Sequence, residues 1–329
     1  MPPTFPEAAA IARFRADLAA LGPVRLPLGV AYSGGPDSLA LLLLAHAAFP
    51  GEVRAATVDH RLREASAAEA EHAQSVCAAL RIPNVTLRVD VAAGASVQAN
   101  AREARYRALA GWMAEGGIPT LLTAHHLDDQ AETLVMRLLR GAGAAGLAGI
   151  RARRPLAGSG GAEILRPLLR WRRAELTDIA ARSDLGTVSD PSNADQAFDR
   201  VRIRGLLAEA KWLEPTALAR SAAALADAED ALEAMAALCL RQTVEEHQDH
   251  LLLRADALPS EMARRLLLHC LRLLGPTGKP RGEQVTEALR ALREGRTVTL
   301  AGAKLSAQGA VWRIEPAPPR RIAQGGETA

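Results

Sequence analysis

Ser33-Gly34-Gly35-Pro36-Asp37-Ser38 brings together the residue types that hold a phosphate. The string follows the apolar run Leu26 to Ala31, which reads as a buried strand. It precedes Leu39 to Leu44, which reads as a buried helix. Glycines adopt backbone angles that a side chain would forbid. Their exposed N–H groups, with the positive end of the following helix, can surround an anion. Ser33 and Ser38 add hydroxyls to the same oxygens. A carboxylate beside phosphate repels it unless a cation lies between, so Asp37 reads as a Mg²⁺ ligand. The simpler alternative is an ordinary strand-to-helix turn capped by Ser38 or Asp37. The string is neither a Walker loop nor a Gly-x-Gly-x-x-Gly dinucleotide turn.

A second cluster, His125-His126-Leu127-Asp128-Asp129-Gln130-Ala131-Glu132, stands where a strand gives way to a helix. Acids at a helix start are favoured by the dipole. Adjacent side chains on a turn diverge, so one of Asp128 and Asp129 is expected to face the ligand. Glu132 is spaced to form a capping arrangement with Asp129, and capping alone is the structural reading of Asp128 and Glu132. The histidine pair points in two directions and lacks a third ligand at zinc spacing. Arg102 and Arg105 lie three apart, on one helical face; they hold a phosphate or form a surface ion pair, for example with Glu103. Tyr106 reads as core rather than a stacking platform. His60 lies beside the nucleotide or is structural.

These residues need a scaffold. The expected strands are Leu26–Tyr32, Val53–Val58, Val85–Val89 and Thr120–Ala124, with a short one at Glu163–Leu165. Helical stretches fall near 36–48, 66–81, 97–116, 129–140 and 172–183, after an amphipathic helix within 1–22. Such alternation implies an α/β fold: a doubly wound, mostly parallel sheet with helices on both faces. Ligands then bind beyond the carboxyl ends of the strands. The turn at 33–38, Asp59-His60 and the 125–129 cluster all follow those ends, so they are expected on one rim. Gly141 to Gly149 reads as a mobile loop. The turn Asp190-Pro-Ser-Asn193 and a connector to about Ile203 close this domain, at residue 204. Residues 205–316 read as a smaller, mainly helical domain. It has helices at 205–246, 259–274 and 281–293, a strand at Leu251–Arg254, and a closing hairpin of Thr297–Leu300 with Val311–Ile314. Residues 317–329 read as a disordered tail.

The 329 residues suffice for two domains and a sizeable core, and 49% hydrophobic with 23% charged residues is a soluble globular balance. No apolar run reaches membrane-spanning length and the N-terminus is not a signal peptide, so a cytoplasmic protein is expected. Cys77, Cys239 and Cys270 are too widely spaced for a disulfide framework or a cysteine metal site. Net charge is only +3, but nine arginines and the single acid Glu163 fall between Met136 and Arg173. That excess suits a polyanion, or else is a solvated arginine-rich linker.

Six stretches carry a family resemblance. The turn at 33–38 resembles the PP-loop of the N-type ATP pyrophosphatases. AHHLDDQAET with MRLLRGAGAAGLAGI, VDHRLREAS (58–66), ANAREARYRAL (99–109), ILRPLLRWRRAEL (164–176) and DPSNADQAFDRVRIR (190–204) resemble the tRNA(Ile)-lysidine synthetases. The match covers about residues 26–204. It implies a PP-loop ATPase fold and the cofactors ATP and Mg²⁺. The implied reaction is adenylation of carbon-2 of the wobble cytidine in tRNA(Ile) with anticodon CAU, then displacement of AMP by free lysine. Asp37 and Asp129 are the implied metal and catalytic pair, and Asp128 or Glu132 receives the lysine ammonium or its proton. Ser33, Gly34, Gly35, Pro36, Asp37, Ser38, Asp59, His60 and Arg105 are expected around the nucleotide. Arg102, Arg166, Arg170 and Arg204 are candidate tRNA contacts. A homodimer is implied by the family and by no residue read here. Two departures stand out: Val201 occupies a position commonly Asn in the family, and a further C-terminal domain common in members is not evident. The rivals are cytidine thiolation, disfavoured by the cysteines, a small-molecule synthetase of the same superfamily, and a non-catalytic tRNA- or nucleotide-binding module.

Overall fold

The computed structural model describes residues 3–60, 65–90, 97–188, 199–210, 212–275, 278 and 280–318. The chain divides into two compact units, Met1–Ala226 and Asp227–Ala329. The first carries α1 (Ala8–Ala19), β1 (Leu28–Ala31), α2 (Pro36–Ala48), β2 (Val53–Asp59), α3 (Ala65–Ala79), β3 (Asn84–Arg88), α4 (Val97–Glu115), β4 (Thr120–Leu122) and α5 (Leu127–Leu139). It continues with α6 (Ala144–Leu147), β5 (Arg153–Pro155), β6 (Glu163–Leu165), α7 (Arg173–Ala181) and α8 (Asp199–Glu209), and the boundary falls within α9 (Pro215–Thr243).

Six strands form one sheet in the order β3-β2-β1-β4-β6-β5. All pairings are parallel except β5 against β6. Every residue of β1 is buried, as a central strand covered on both faces must be. Leu39 to Leu44 of α2 are likewise all buried, because this helix is apolar all round. It packs with Phe14 and Leu18 of α1 and with Trp171 and Leu176 near α7. Leu109 and Met113 of α4 belong to a separate cluster with Leu121 and Ile164. Gly29 is required there: a Cβ on it would meet the Trp112 ring at 3.0 Å. With β2 on one side of β1 and β4 on the other, the order reverses at β1. The crevice beyond β1 and β4 is therefore the expected ligand position.

The second unit carries β7 (Val244–Glu246), β8 (Leu251–Arg254), α10 (Ser260–Leu273), α11 (Gly282–Arg293), β9 (Val298–Leu300), β10 (Ala303–Gln308) and β11 (Val311–Pro316). Its antiparallel sheet runs β7-β8-β11-β10-β9. Leu266, Leu267 and Cys270 of α10 and Val285, Leu289 and Leu292 of α11 pack with Leu253, Leu305 and Ile314 of that sheet.

Several boundaries differ from the sequence expectation. The units divide at 226/227 rather than 204/205, because α8 packs on α5 and stays with the first unit. The expected connector up to Ile203 already contains the first turn of α8. Gly141–Gly149 is not a bare loop: it holds α6, and Arg137 NH1 donates to the carbonyls of Gly146 and Gly149 at 2.6 and 2.9 Å. The expected closing hairpin is three-stranded, since β10 lies between β9 and β11. The 190–193 turn and the tail from 319 lie outside the described residues. Among the described residues, no helix is long and apolar enough to cross a membrane.

Arg265 of α10 is 4% exposed and surrounded by carboxylates of Glu229, Glu233 and Glu261 at 2.6, 2.5 and 2.8 Å. Removing one partner of a buried pair leaves the others uncompensated. Arg265→Met is expected to cost about 3 kcal/mol of the second unit's stability. A urea midpoint within experimental error of the parent would contradict this.

Candidate active site

The turn after β1 is braced from within. Ser33 N–H donates to Ser38 Oγ at 3.2 Å, the two hydroxyls lie 3.1 Å apart, and Ser38 Oγ donates to the Gly35 carbonyl at 2.9 Å. Val188 N–H donates to the Gly34 carbonyl at 2.9 Å. Only Gly34 of the two glycines needs its lack of a side chain for backbone reasons, with φ +81°. Gly35 caps α2 at φ −76°, an ordinary angle, so the expectation of two special glycines is corrected to one. Pro36 at the first helical position fits the fixed φ of proline.

The cluster after β4 is organised by His126, which is 2% exposed. It caps α5 reciprocally with Asp129: His126 N–H donates to Asp129 Oδ2 at 3.0 Å, and Asp129 N–H donates to His126 Nδ1 at 3.3 Å. Nδ1 therefore accepts, and Nε2 carries the hydrogen. Nε2 lies 3.5 Å from Asp37 Oδ2 and 3.6 Å from Asp129 Oδ2. The phosphate turn and the 125–129 cluster thus meet on one imidazole. Burial alone would lower the His126 pKa, but Asp37, Asp129 and Asp128 outweigh it and raise it. His125 points elsewhere. Its Nδ1 meets Thr123 Oγ1 at 3.0 Å and Arg166 Nε at 3.3 Å. Burial, then Arg166, Arg105, Arg102 and Arg200, hold it well below the ordinary range.

Asp128 and Asp129 diverge as expected. Asp128 Oδ2 accepts from Arg173 N–H at 2.7 Å, and Arg172 reaches Oδ1 at 3.1 Å. Asp129 Oδ1 accepts from Arg200 at 2.8 Å. Glu132 is not a cap. It is 2% exposed and accepts from Arg200 Nε at 2.7 Å and Arg204 Nε at 2.9 Å. The start of α5 is also fixed from behind: Leu127 N–H donates to the Trp171 carbonyl at 2.9 Å, and Trp171 Nε1 donates to Asp17 of α1 at 2.9 Å.

A PP-loop domain model matches residues 12–210. The chain is 46% identical to a tRNA(Ile)-lysidine synthase of Novosphingobium aromaticivorans, over 95% of each chain. It is 38% identical to one of Zymomonas mobilis over 92% of each, and 40% identical to one of Ruegeria pomeroyi over 90% of this chain and 72% of that one. The chain belongs to the tRNA(Ile)-lysidine synthase family. The fold is shared with a U34-tRNA thiolase of Methanococcus maripaludis, at a TM-score of 0.54 and 16% identity over 68% of this chain and 78% of that one.

Of the residues expected for this family, Asp37 and Asp129 meet at His126, and Asp129, Glu132 and Arg204 are joined through Arg200 and Glu132. His60 lies near Arg105 and Asp59 at the end of β2; burial first, then Arg105, lowers its pKa. Arg166 is 2% exposed, with NH1 donating to the Arg151 carbonyl at 2.6 Å. Burial removes it from any surface that a tRNA could touch, which corrects that expectation. Arg170 is 83% exposed and lies toward α1, its NH1 4.0 Å from Asp17 Oδ1. The sequence alone does not single out His126, Arg200 or the Val188 amide. His126 stood at the N-cap position of a legible helix, and Arg200 within a motif noted only for Val201. Residues 61–64 and 190–198 of the family stretches lie outside the described residues.

The donor set fits Mg²⁺. Asp37 Oδ1 is buried with no partner among the described residues, while Asp37 Oδ2 and Asp129 Oδ2 flank the same nitrogen. Among the described residues no three His, Cys, Asp or Glu groups form a metal cage. Mg²⁺ needs none, since it takes one or two carboxylates together with substrate phosphates.

Two outcomes follow. Gly34→Ala forces a side chain into a left-handed angle with its Cβ 3.2 Å from Val188, whereas a Cβ at Gly35 meets nothing closer than 3.7 Å. Gly34→Ala is expected to cost about 1–3 kcal/mol and Gly35→Ala little, by thermal melting; equal losses would contradict the assignment. His126 should titrate above 6.5 by NMR. Because its folded pKa is raised, its contribution to stability is full below pH 6.5 and fades as pH rises through the folded value. Asp37→Asn should bring the midpoint down, and an unmoved midpoint would detach Asp37 from His126.

Proposed function

We propose that this chain uses ATP to join free lysine to carbon-2 of the wobble cytidine in tRNA(Ile) with anticodon CAU. The reading is supported most by the convergence of Asp37 and Asp129 on His126 beside a phosphate turn, in a chain of this family. The reaction takes two displacements. The C2 oxygen attacks the α-phosphorus of ATP and pyrophosphate leaves, giving an adenylated cytidine. The lysine ε-amine then attacks C2, AMP leaves, and the nitrogen gives up a proton.

The residues suit each requirement. Departing pyrophosphate needs its charge balanced, and the glycine turn with the positive end of α2 is suited to that. Asp37 and Asp129 would hold Mg²⁺, which when bound would supply further neutralisation of phosphate charge. Asp59, His60 and Arg105 at the end of β2 are the remaining candidates for nucleotide contact. The lysine ammonium needs a carboxylate, and Asp128 and Glu132 are the two beyond the metal pair. Both oxygens of Glu132 are already taken by Arg200 and Arg204, whereas Asp128 is partly exposed beside Arg172, so Asp128 is the freer of the two. Arg102, Arg170 and Arg204 are the candidate tRNA contacts. The cysteine chemistry of a thiolase is disfavoured, since burial pushes the Cys77 and Cys270 thiols up to about 12.

The test is incorporation of radiolabelled lysine into a tRNA(Ile) CAU transcript with ATP and Mg²⁺, with a tRNA(Met) transcript alongside. Label in tRNA(Ile) alone, with AMP released in step, is the expected result. Asp37→Asn should reduce it at least about a hundredfold. Absence of label despite bound ATP and tRNA would overturn the reading.

A further inference from the structure

Tyr106 of α4 sits between two cations. The Arg102 guanidinium carbon lies 5.0 Å from its ring centroid, and that of Arg154, on β5, lies 4.8 Å away. Each is attracted to the ring, yet the two repel one another. Arg166 faces the phenol. Arg105 adds a further positive charge; burial, and then Arg102, pull its pKa down against the pull of Tyr106. His125 beside them stays neutral and supplies no compensation.

Elsewhere in this unit arginines meet carboxylates, as Arg153 meets Glu163 and Arg172 meets Asp128. Among the described residues Arg102, Arg105 and Arg154 have no carboxylate partner, and Arg154 Nε is buried with no hydrogen bond. Converging like charges without a counter-ion are costly. Guanidinium forks match phosphate oxygens, and the ring fixes how two of those forks are presented.

We propose that Arg102, Arg105 and Arg154, arranged on Tyr106, form a second anion site that takes a phosphate group separate from the one held by the glycine turn. Arg105 lies by His60 at the end of β2, whereas the glycine turn follows β1. The group is either an RNA backbone phosphate or inorganic pyrophosphate. The RNA alternative rests on the function proposed above; the pyrophosphate alternative does not.

Binding of inorganic pyrophosphate and of a tRNA(Ile) transcript is measured for the full chain and for Arg102→Gln, Arg154→Gln and Arg154→Lys. Arg54→Gln, at the far end of the sheet where the side chain donates to the Gly51 carbonyl, controls for loss of one charge. Arg102→Gln and Arg154→Gln are expected to weaken one of the two ligands about tenfold, with Arg54→Gln within about twofold of the parent. Arg154→Lys keeps the charge without the fork and is expected to lie between. If RNA is the ligand, the salt dependence becomes shallower by about one unit of slope and pyrophosphate binding is unchanged. If pyrophosphate is the ligand, its binding falls and that of RNA does not. No change in either, or an equal loss in Arg54→Gln, overturns the site. Failed lysine labelling with the tenfold effect intact would sink the function and leave the anion site standing.

Discussion

A carboxylate buried as deeply as that of Glu132 needs cationic partners to offset its lost hydration. Arg200 and Arg204, one turn apart on α8, both reach it. This three-residue contact makes α8 part of the first unit. Arg200 also spans to Asp129, so the same helix fixes the acid that meets His126. Asp129 then closes the cap of α5, and His126 ties that cap to Asp37. The rim is thus one connected set of charges, each acid being shared among its neighbours.

That sharing explains which parts of the fold and site were legible in the sequence. The parallel sheet was, because β1, β2 and β4 are short apolar runs followed by turn or helix-start residues. The glycine turn and the two aspartates were, because their types are unusual at strand ends. The partners were not. Nothing local says that Arg200 will cross 68 positions to Glu132, or that a histidine will serve as an N-cap in place of Ser or Asp. β5, β7 and β10 escaped for a different reason. β5 and β7 are three residues each with no alternation to read, and β10 was hidden in Ala303–Gln308, where alanine and serine dilute its pattern.

The arginine-rich stretch from 137 to 173 shows how composition misleads about position. It reads as one basic surface, yet its members have different roles. Arg137 holds the carbonyls of the 141–149 segment, Arg153 pairs with Glu163, Arg166 is interior, and Arg172 binds Asp128. Arg170 keeps most of its surface exposed. Arginine suits all of these tasks because its fork satisfies several acceptors at once.

The edge strand β5 ends at Pro155, which aligns with Glu163 of β6 and has no N–H to offer a further strand. The two residues before it are arginines already committed within the unit, Arg153 to Glu163 and Arg154 to the Tyr106 ring. This end of the sheet therefore acts as a stop. A strand of three residues that ends in proline offers few amides to a second molecule, so edge-to-edge growth of the sheet is discouraged at that margin.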